Sequence, residues 1–166
     1  MLKNFFVSII LFGFMCSFSF AADGFALLHE ERIGTLRIGL SEGEVKKRIH
    51  CSLKRGSEEL WGADGAYHQK WEYVDCGITL SMVSEKKGAS KSIESISLVS
   101  PSTLSTKRGI RIGSTEQEVM KAYKSQWNRE DSKHFGSFVA GSIYGGVMFD
   151  FENDKVSRIF LGAAAE

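Results

Sequence analysis

Arg37-Ile38-Gly39-Leu40-Ser41-Glu42-Gly43-Glu44-Val45 recurs further along the chain as Arg111-Ile112-Gly113-Ser114-Thr115-Glu116-Gln117-Glu118-Val119. Seven of the nine columns are identical or conservative. The same order of elements follows both copies, so the chain reads as a duplication. Each copy opens with one physical device. Ser41 is an N-cap with Glu44 three residues on, and Thr115 and Glu118 repeat that spacing. The pattern predicts a capping box, in which each side chain satisfies an orphan backbone N–H. Leu40 and Val45 occupy the staple positions of the first copy, whereas the second has Ser114 there. Gly39 and Gly113 suit a sharp turn into the helix.

Outward from the repeat, Val45, Ile49 and Leu53 fall at i, i+4 and i+8, as do Val119, Tyr123 and Trp127 with Met120 beside them. Both stripes predict short amphipathic helices facing a core, with Trp127 on the core side. Strands follow. Ile78, Leu80 and Met82 alternate with Thr79 and Ser81, and Val147, Phe149 and Phe151 alternate with Met148 and Asp150. Turns at 85–88 and 153–154 lead into closing strands at 93–99 and 156–161, and further strands are expected at 70–74 and 135–143. Such alternation belongs to antiparallel sheets with one buried face. The expected fold is α+β: two tandem units, 22–102 and 103–166, each a short capped helix packed on a small antiparallel sheet. The polar stretch 101–107 holds the only proline and marks the junction.

Residues 1–21 read as a signal peptide. Lys3 supplies the positive region, 5–14 is almost wholly apolar, and Ser19-Phe20-Ala21 offers small residues for cleavage after Ala21, with Ala22 as the alternative. The apolar run is short for a membrane span. Bulky Phe14 and Met15 before Cys16 do not suit a lipid anchor. Cleavage removes one of 21 basic residues and leaves 20 against 20 acidic ones, a formally neutral mature chain. That balance argues against nucleic-acid binding and against a polybasic membrane-surface protein. No later stretch is apolar and long enough to span a bilayer. The apolar fraction of 43% is that of a globular chain. Cys51 and Cys76 remain after cleavage, and an even count in an exported chain predicts a disulfide. The expected location is the periplasm or beyond the cell.

No catalytic motif appears: no G-x-S-x-G, no P-loop, no H-E-x-x-H. His29, His50, His68 and His134 show no metal-ligand spacing, so neither a metal site nor a cofactor is expected. His50 and Cys51 are adjacent and would diverge on a helix. Gly145-Gly146 reads as a bend or a close backbone approach, and Asp150 with Glu152 as a solvent-facing pair. The segment 54–69 is expected as a long loop, either a binding element or a surface loop pinned by Trp61 and the disulfide. Trp61, Tyr67, His68 and Trp71 are the candidate binding residues, because aromatic side chains dominate interface hot spots.

The unit Ile-Gly-x-Ser/Thr-x-x-Glu-Val, carried by Ile38, Gly39, Ser41, Glu44 and Val45 and by Ile112, Gly113, Thr115, Glu118 and Val119, resembles a known group. It is similar to the small α+β domains of the outer-membrane-assembly lipoprotein family (BamE-like) and of the β-lactamase inhibitory protein. The tandem arrangement is closer to the latter, whose two domains form a concave surface that clamps an enzyme. The resemblance implies a non-catalytic protein-binding module with an unidentified protein partner, an envelope assembly factor or an inhibitor. Two other readings stand beside it. One is a small-ligand or lipid-binding protein with Phe138, Tyr144, Phe149 and Phe151 lining a cleft. The other is a hydrolase with dispersed residues.

Overall fold

From Ile78 to Ser84 buried and half-buried side chains alternate without a break, and this run is an interior strand of a large sheet. The computed structural model describes residues 26–164; the leader 1–21, its cleavage sites and Cys16 lie outside the described residues. The strands are β1 (Lys54–Leu60), β2 (Tyr67–Tyr73), β3 (Ile78–Ser84), β4 (Ser92–Val99), β5 (Phe138–Ser142), β6 (Gly145–Glu152) and β7 (Lys155–Gly162). Among the described residues short α-helices accompany them: α1 (Ala26–Glu30), α2 (Glu42–Arg48), α3 (Glu116–Tyr123) and α4 (Arg129–Phe135). The expected α+β class is met. The two small sheets are joined edge to edge: β4 pairs β7, and one antiparallel sheet runs β1-β2-β3-β4-β7-β6-β5.

Val45 of α2, Val119 and Tyr123 of α3 and Leu27 of α1 join Trp71, Leu80, Ile96, Phe149 and Ile159 in one hydrophobic cluster. The expectation that Phe138 and Phe149 line a cleft gives way to packing. Phe149 is buried against Tyr123, and Phe138 lies between Phe149 and a stacked Trp127. Tyr144 stands exposed, and Phe151 is half-buried against the core. Trp127 holds the core position read for it. Its indole N–H donates to Ser132 Oγ at 3.0 Å.

The repeated segments dock in the same way. The N–H of Gly39 donates to the Ile93 carbonyl, and the N–H of Ile93 donates to that of Leu40. Gly113, Val156 and Ser114 make the corresponding pair of bonds. Gly39 and Gly113 turn there at φ of 76° and 86°, where a Cβ is costly. The caps differ. Thr115 and Glu118 form the full capping box. The box expected at Ser41 is not closed: its hydroxyl donates to Glu44 Oε2 at 3.2 Å instead of accepting from the helix. The helix expected through Leu53 also stops early. Ile49 is extended and ends α2, so Leu53 belongs to the approach to β1.

The largest departure from expectation is the segment 54–69. Most of it is no loop, because β1 and the start of β2 form a hairpin with a turn at 61–66. The junction is also not a free linker. Ser105 accepts from the N–H of Gly34, Lys107 donates its N–H to Arg32, and Thr106 is buried. Gly146 does mark a close approach, since a Cβ there would run into the backbone of Ala140 and Ser142. Cys51 and Cys76 form the expected disulfide, with Cα atoms 6.2 Å apart. Among the described residues no helix is long and apolar enough to cross a membrane.

Candidate functional site

The site begins with the turn between β1 and β2. Trp61 donates its N–H to the Ala66 carbonyl at 2.9 Å, and Gly65 donates to Trp61 at 3.0 Å. Asp64 closes the turn from inside by accepting the Ala66 N–H at 2.9 Å, a local bond that suits aspartate. The short turn sets the register, so Glu59 faces His68 across the hairpin. Successive side chains of a strand point to opposite faces. Tyr67 and Trp71 therefore share the face of the core, and His68 and Lys70 share the other.

His68 is only 4% exposed although it lies on the face away from the core. Trp61 covers it, with ring centroids 3.9 Å apart and planes inclined by 15°. Nε2 lies 2.9 Å from Asp64 Oδ2, and Nδ1 lies 3.0 Å from Glu94 Oε2. Glu94 reaches the ring through an irregularity in β4: Ser81 pairs with Ser95 and Met82 with Ile93, which leaves Glu94 as the extra residue of a bulge. Ser81 Oγ donates to the same Glu94 oxygen at 2.9 Å. The Ala66 N–H lowers the pKa of the Asp64 carboxyl; burial opposes this, and the His68 ring adds to the lowering.

Asp64, His68 and Glu94 offer atoms within 4.8 Å of one another. The geometry nevertheless fits a hydrogen-bonded bridge better than a metal centre. The two acids meet opposite nitrogens of one ring, so an ion at either nitrogen would gain one carboxylate and lose the other. Zinc takes three or four protein ligands. Nor does the cluster assemble a nucleophile and its base. Neither ring nitrogen bonds a hydroxyl, and Cys51 and Cys76 are tied in the disulfide.

Of the four residues singled out in the sequence, Trp61 and His68 are in contact. Trp61 is 38% exposed, beside Leu60 at 59%. Tyr67 is half-buried and paired with Leu60 at the hairpin end. Trp71 is 1% exposed. Its indole N–H donates to Gln69 Oε1 at 2.9 Å, and the Arg55 guanidinium lies 4.5 Å over its ring. It supports the hairpin from below and offers no surface. Asp64 and Glu94 escaped sequence reasoning. The turn-forming Asp64-Gly65 pair was the one local signal, and nothing near Glu94 announced the bulge.

Below Trp61 the sheet face forms a cavity of about 530 Å³. Thr79 opposite Ser97 and Ser81 opposite Ser95 make its floor. Phe160, paired with Ser97, closes the far side. Phe160 and Arg158 also line a neighbouring cavity of about 570 Å³, so a groove continues across β7 toward β6. Charges along the groove are paired: Lys70 with Glu72 at 2.7 Å and Arg158 with Asp150 at 2.6 Å. Asp150 thus belongs to an ion pair, not to an acidic pair with Glu152. In comparisons with known proteins, the chain matches no family model, no curated protein and no solved structure.

Proposed function

We propose that this chain is an exported, non-catalytic protein-binding module of the periplasm, an envelope assembly factor or an inhibitor or immunity-type protein. It consists of a signal peptide (1–21) and two tandem α+β units (22–102 and 103–166). The leader pattern and the disulfide support export. The equivalent docking of Gly39 on Ile93 and Gly113 on Val156 supports the duplication. The resemblance to BamE-like and β-lactamase inhibitory protein domains belongs to the same proposal.

One observation carries the binding role: the hairpin tip presents Leu60 and Trp61 to solvent while His68 holds the indole in place. A partly exposed aromatic that is already ordered loses little entropy on binding, which is what an anchor residue requires. Tyr67 flanks it at the hairpin end; His68 positions it, and Trp71 anchors β2 from the core face. The test is affinity capture by the tagged mature chain from its own periplasm. One saturable protein partner is expected, with recovery falling sharply for Trp61→Ala and for Leu60→Ser. Equal recovery with both variants, or no specific partner for the wild type, overturns the reading.

A further inference from the structure

We infer that the groove below Trp61 is a binding site for an uncharged saccharide, a function beyond the protein-binding role. Three observations select this ligand chemistry. The first is the floor. Thr79, Ser81, Ser95 and Ser97 are half-buried hydroxyls set in two facing pairs. Ser81 is engaged by Glu94, whereas Thr79, Ser95 and Ser97 have no side-chain hydrogen-bond partner among the described residues. Hydroxyls in a concavity are satisfied by water when it is empty, and an occupant must replace those bonds or lose affinity. A lipid chain cannot replace them; a polyol can. Serine is also depleted at protein–protein interfaces, which sets this floor apart from a protein-docking core.

The second observation is charge. Lys70, Arg158 and His68 are each matched by a carboxylate within 3.0 Å. Among the described residues no unpaired cation is left on the groove walls to select a phosphate or a carboxylate. Glu59, whose side chain accepts from Ser57 Oγ at 2.7 Å, adds an acceptor at the rim and disfavours an anionic ligand further. The third is the wall. Trp61 lines the cavity, and its ring is held by the stack on His68. A fixed indole face packs against the apolar C–H face of a pyranose, while the sugar's hydroxyls reach the floor. The volume of about 530 Å³ falls within the usual range of small-ligand clefts.

The test titrates the full mature chain with three neutral probes, maltotriose, cellotriose and triacetylchitotriose, and with heparin and a lysophospholipid as charged and apolar comparisons. Tryptophan fluorescence and amide chemical shifts are followed. The expected result is saturable binding of at least one neutral trisaccharide, with shifts at Thr79, Ser95, Ser97 and Trp61. Trp61→Ala should weaken that binding roughly tenfold or more, the scale of a lost aromatic anchor. Ser97→Leu, which fills the floor and leaves the hairpin intact, should abolish it with the cooperative unfolding transition preserved. The same Ser97→Leu variant should still capture the protein partner, so the two readings fail separately. No saturable response to any neutral probe, shifts confined to another surface, tighter binding of heparin or lysophospholipid, or unchanged binding by a folded Ser97→Leu variant would overturn the assignment.

Discussion

Two carboxylates share one imidazole beside the β1–β2 turn, Asp64 at Nε2 and Glu94 at Nδ1. Removing the ring takes the imidazole partner from both acids, leaving Asp64 the Ala66 N–H and Glu94 the Ser81 hydroxyl, and takes the stacking surface from Trp61. The acids are 46% and 36% exposed, so water recovers part of the loss. We expect His68→Ala to cost about 1–2 kcal/mol and to red-shift Trp61 emission. Urea denaturation and fluorescence check both, and an unchanged emission spectrum would mean that the stack does not hold the indole. The same hairpin sets an acid limit. Bonding to Lys91, together with the Gly88 N–H, keeps the Glu58 carboxyl below its ordinary value, and the Ala66 N–H foremost does so for Asp64. Both native values lie below the unfolded ones, so the unfolded chain binds more protons in acid. The stabilisation is complete above the ordinary carboxylate range of about 4 and is lost as pH falls through the native values. The urea midpoint should therefore decline below about pH 4, and less steeply in an Asp64→Asn, Glu58→Gln double variant. Equal slopes in the two proteins would rule these carboxylates out.

At the scale of elements the two repeat helices make a controlled comparison. Thr115 closes a full capping box on α3, whereas Ser41 makes no cap bond to α2. Thr115→Ala should cost about 1 kcal/mol and Ser41→Ala only a few tenths; thermal or urea melts of the pair decide it, and equal losses would contradict the caps as drawn. The disulfide ties the segment after α2 to the turn before β3. Replacing both cysteines by alanine should lower stability by roughly 3 kcal/mol, the chain-entropy value for such a loop, and an unchanged melt would show that the bridge adds nothing. The sequence made some elements plain and hid others for physical reasons. β3, β4 and β7 bury one face of a sheet, so alternation exposed them; β6 shows the same apolar period although Met148 is buried as well. β1 reads Lys-Arg-Gly-Ser-Glu-Glu-Leu and is almost wholly exposed; an edge strand guarded by charges carries no hydrophobic period. α4 is short and polar. Its cap, Asn128 accepting from the Asp131 N–H, was the one sign available. The candidate site was half legible. Trp61 and His68 stood out by residue type, and Thr79 and Ser81 appeared as the polar alternates of a strand. Glu94 joins them only through the bulge in β4, and the stack of Trp61 on His68 depends on a hairpin turn between polar, exposed residues that carry no hydrophobic period.

The whole molecule depends on the seam between β4 and β7. Ile96 to Val99 pair with Arg158 to Leu161, and both strands would otherwise be sheet edges. Side chains cross the same boundary. The buried Glu31 carboxylate accepts from Tyr123 Oη at 2.9 Å and from the Lys107 N–H at 2.8 Å, and the Arg108 guanidinium lies 3.8 Å from it. Cutting the chain at 102/103 would leave Glu31 buried without its principal donors and would expose Ile96, Leu98, Ile159 and Leu161 along two open edges. The half 103–166 is also near the size, roughly 60 residues, at which a lone core is marginal. We therefore expect 22–102 and 103–166, expressed separately, to lack a cooperative thermal transition and to aggregate through the bare strands. Mixed at equal concentration, they should recover the native circular dichroism and a single melt whose midpoint rises with concentration, as an association must. A cooperative melt of 22–102 alone would show that the first unit completes its core without the second. The groove floor tests the same point from the other side. Ser97 and Phe160 face each other across the seam, so a saccharide that binds the reassembled pair should bind neither half.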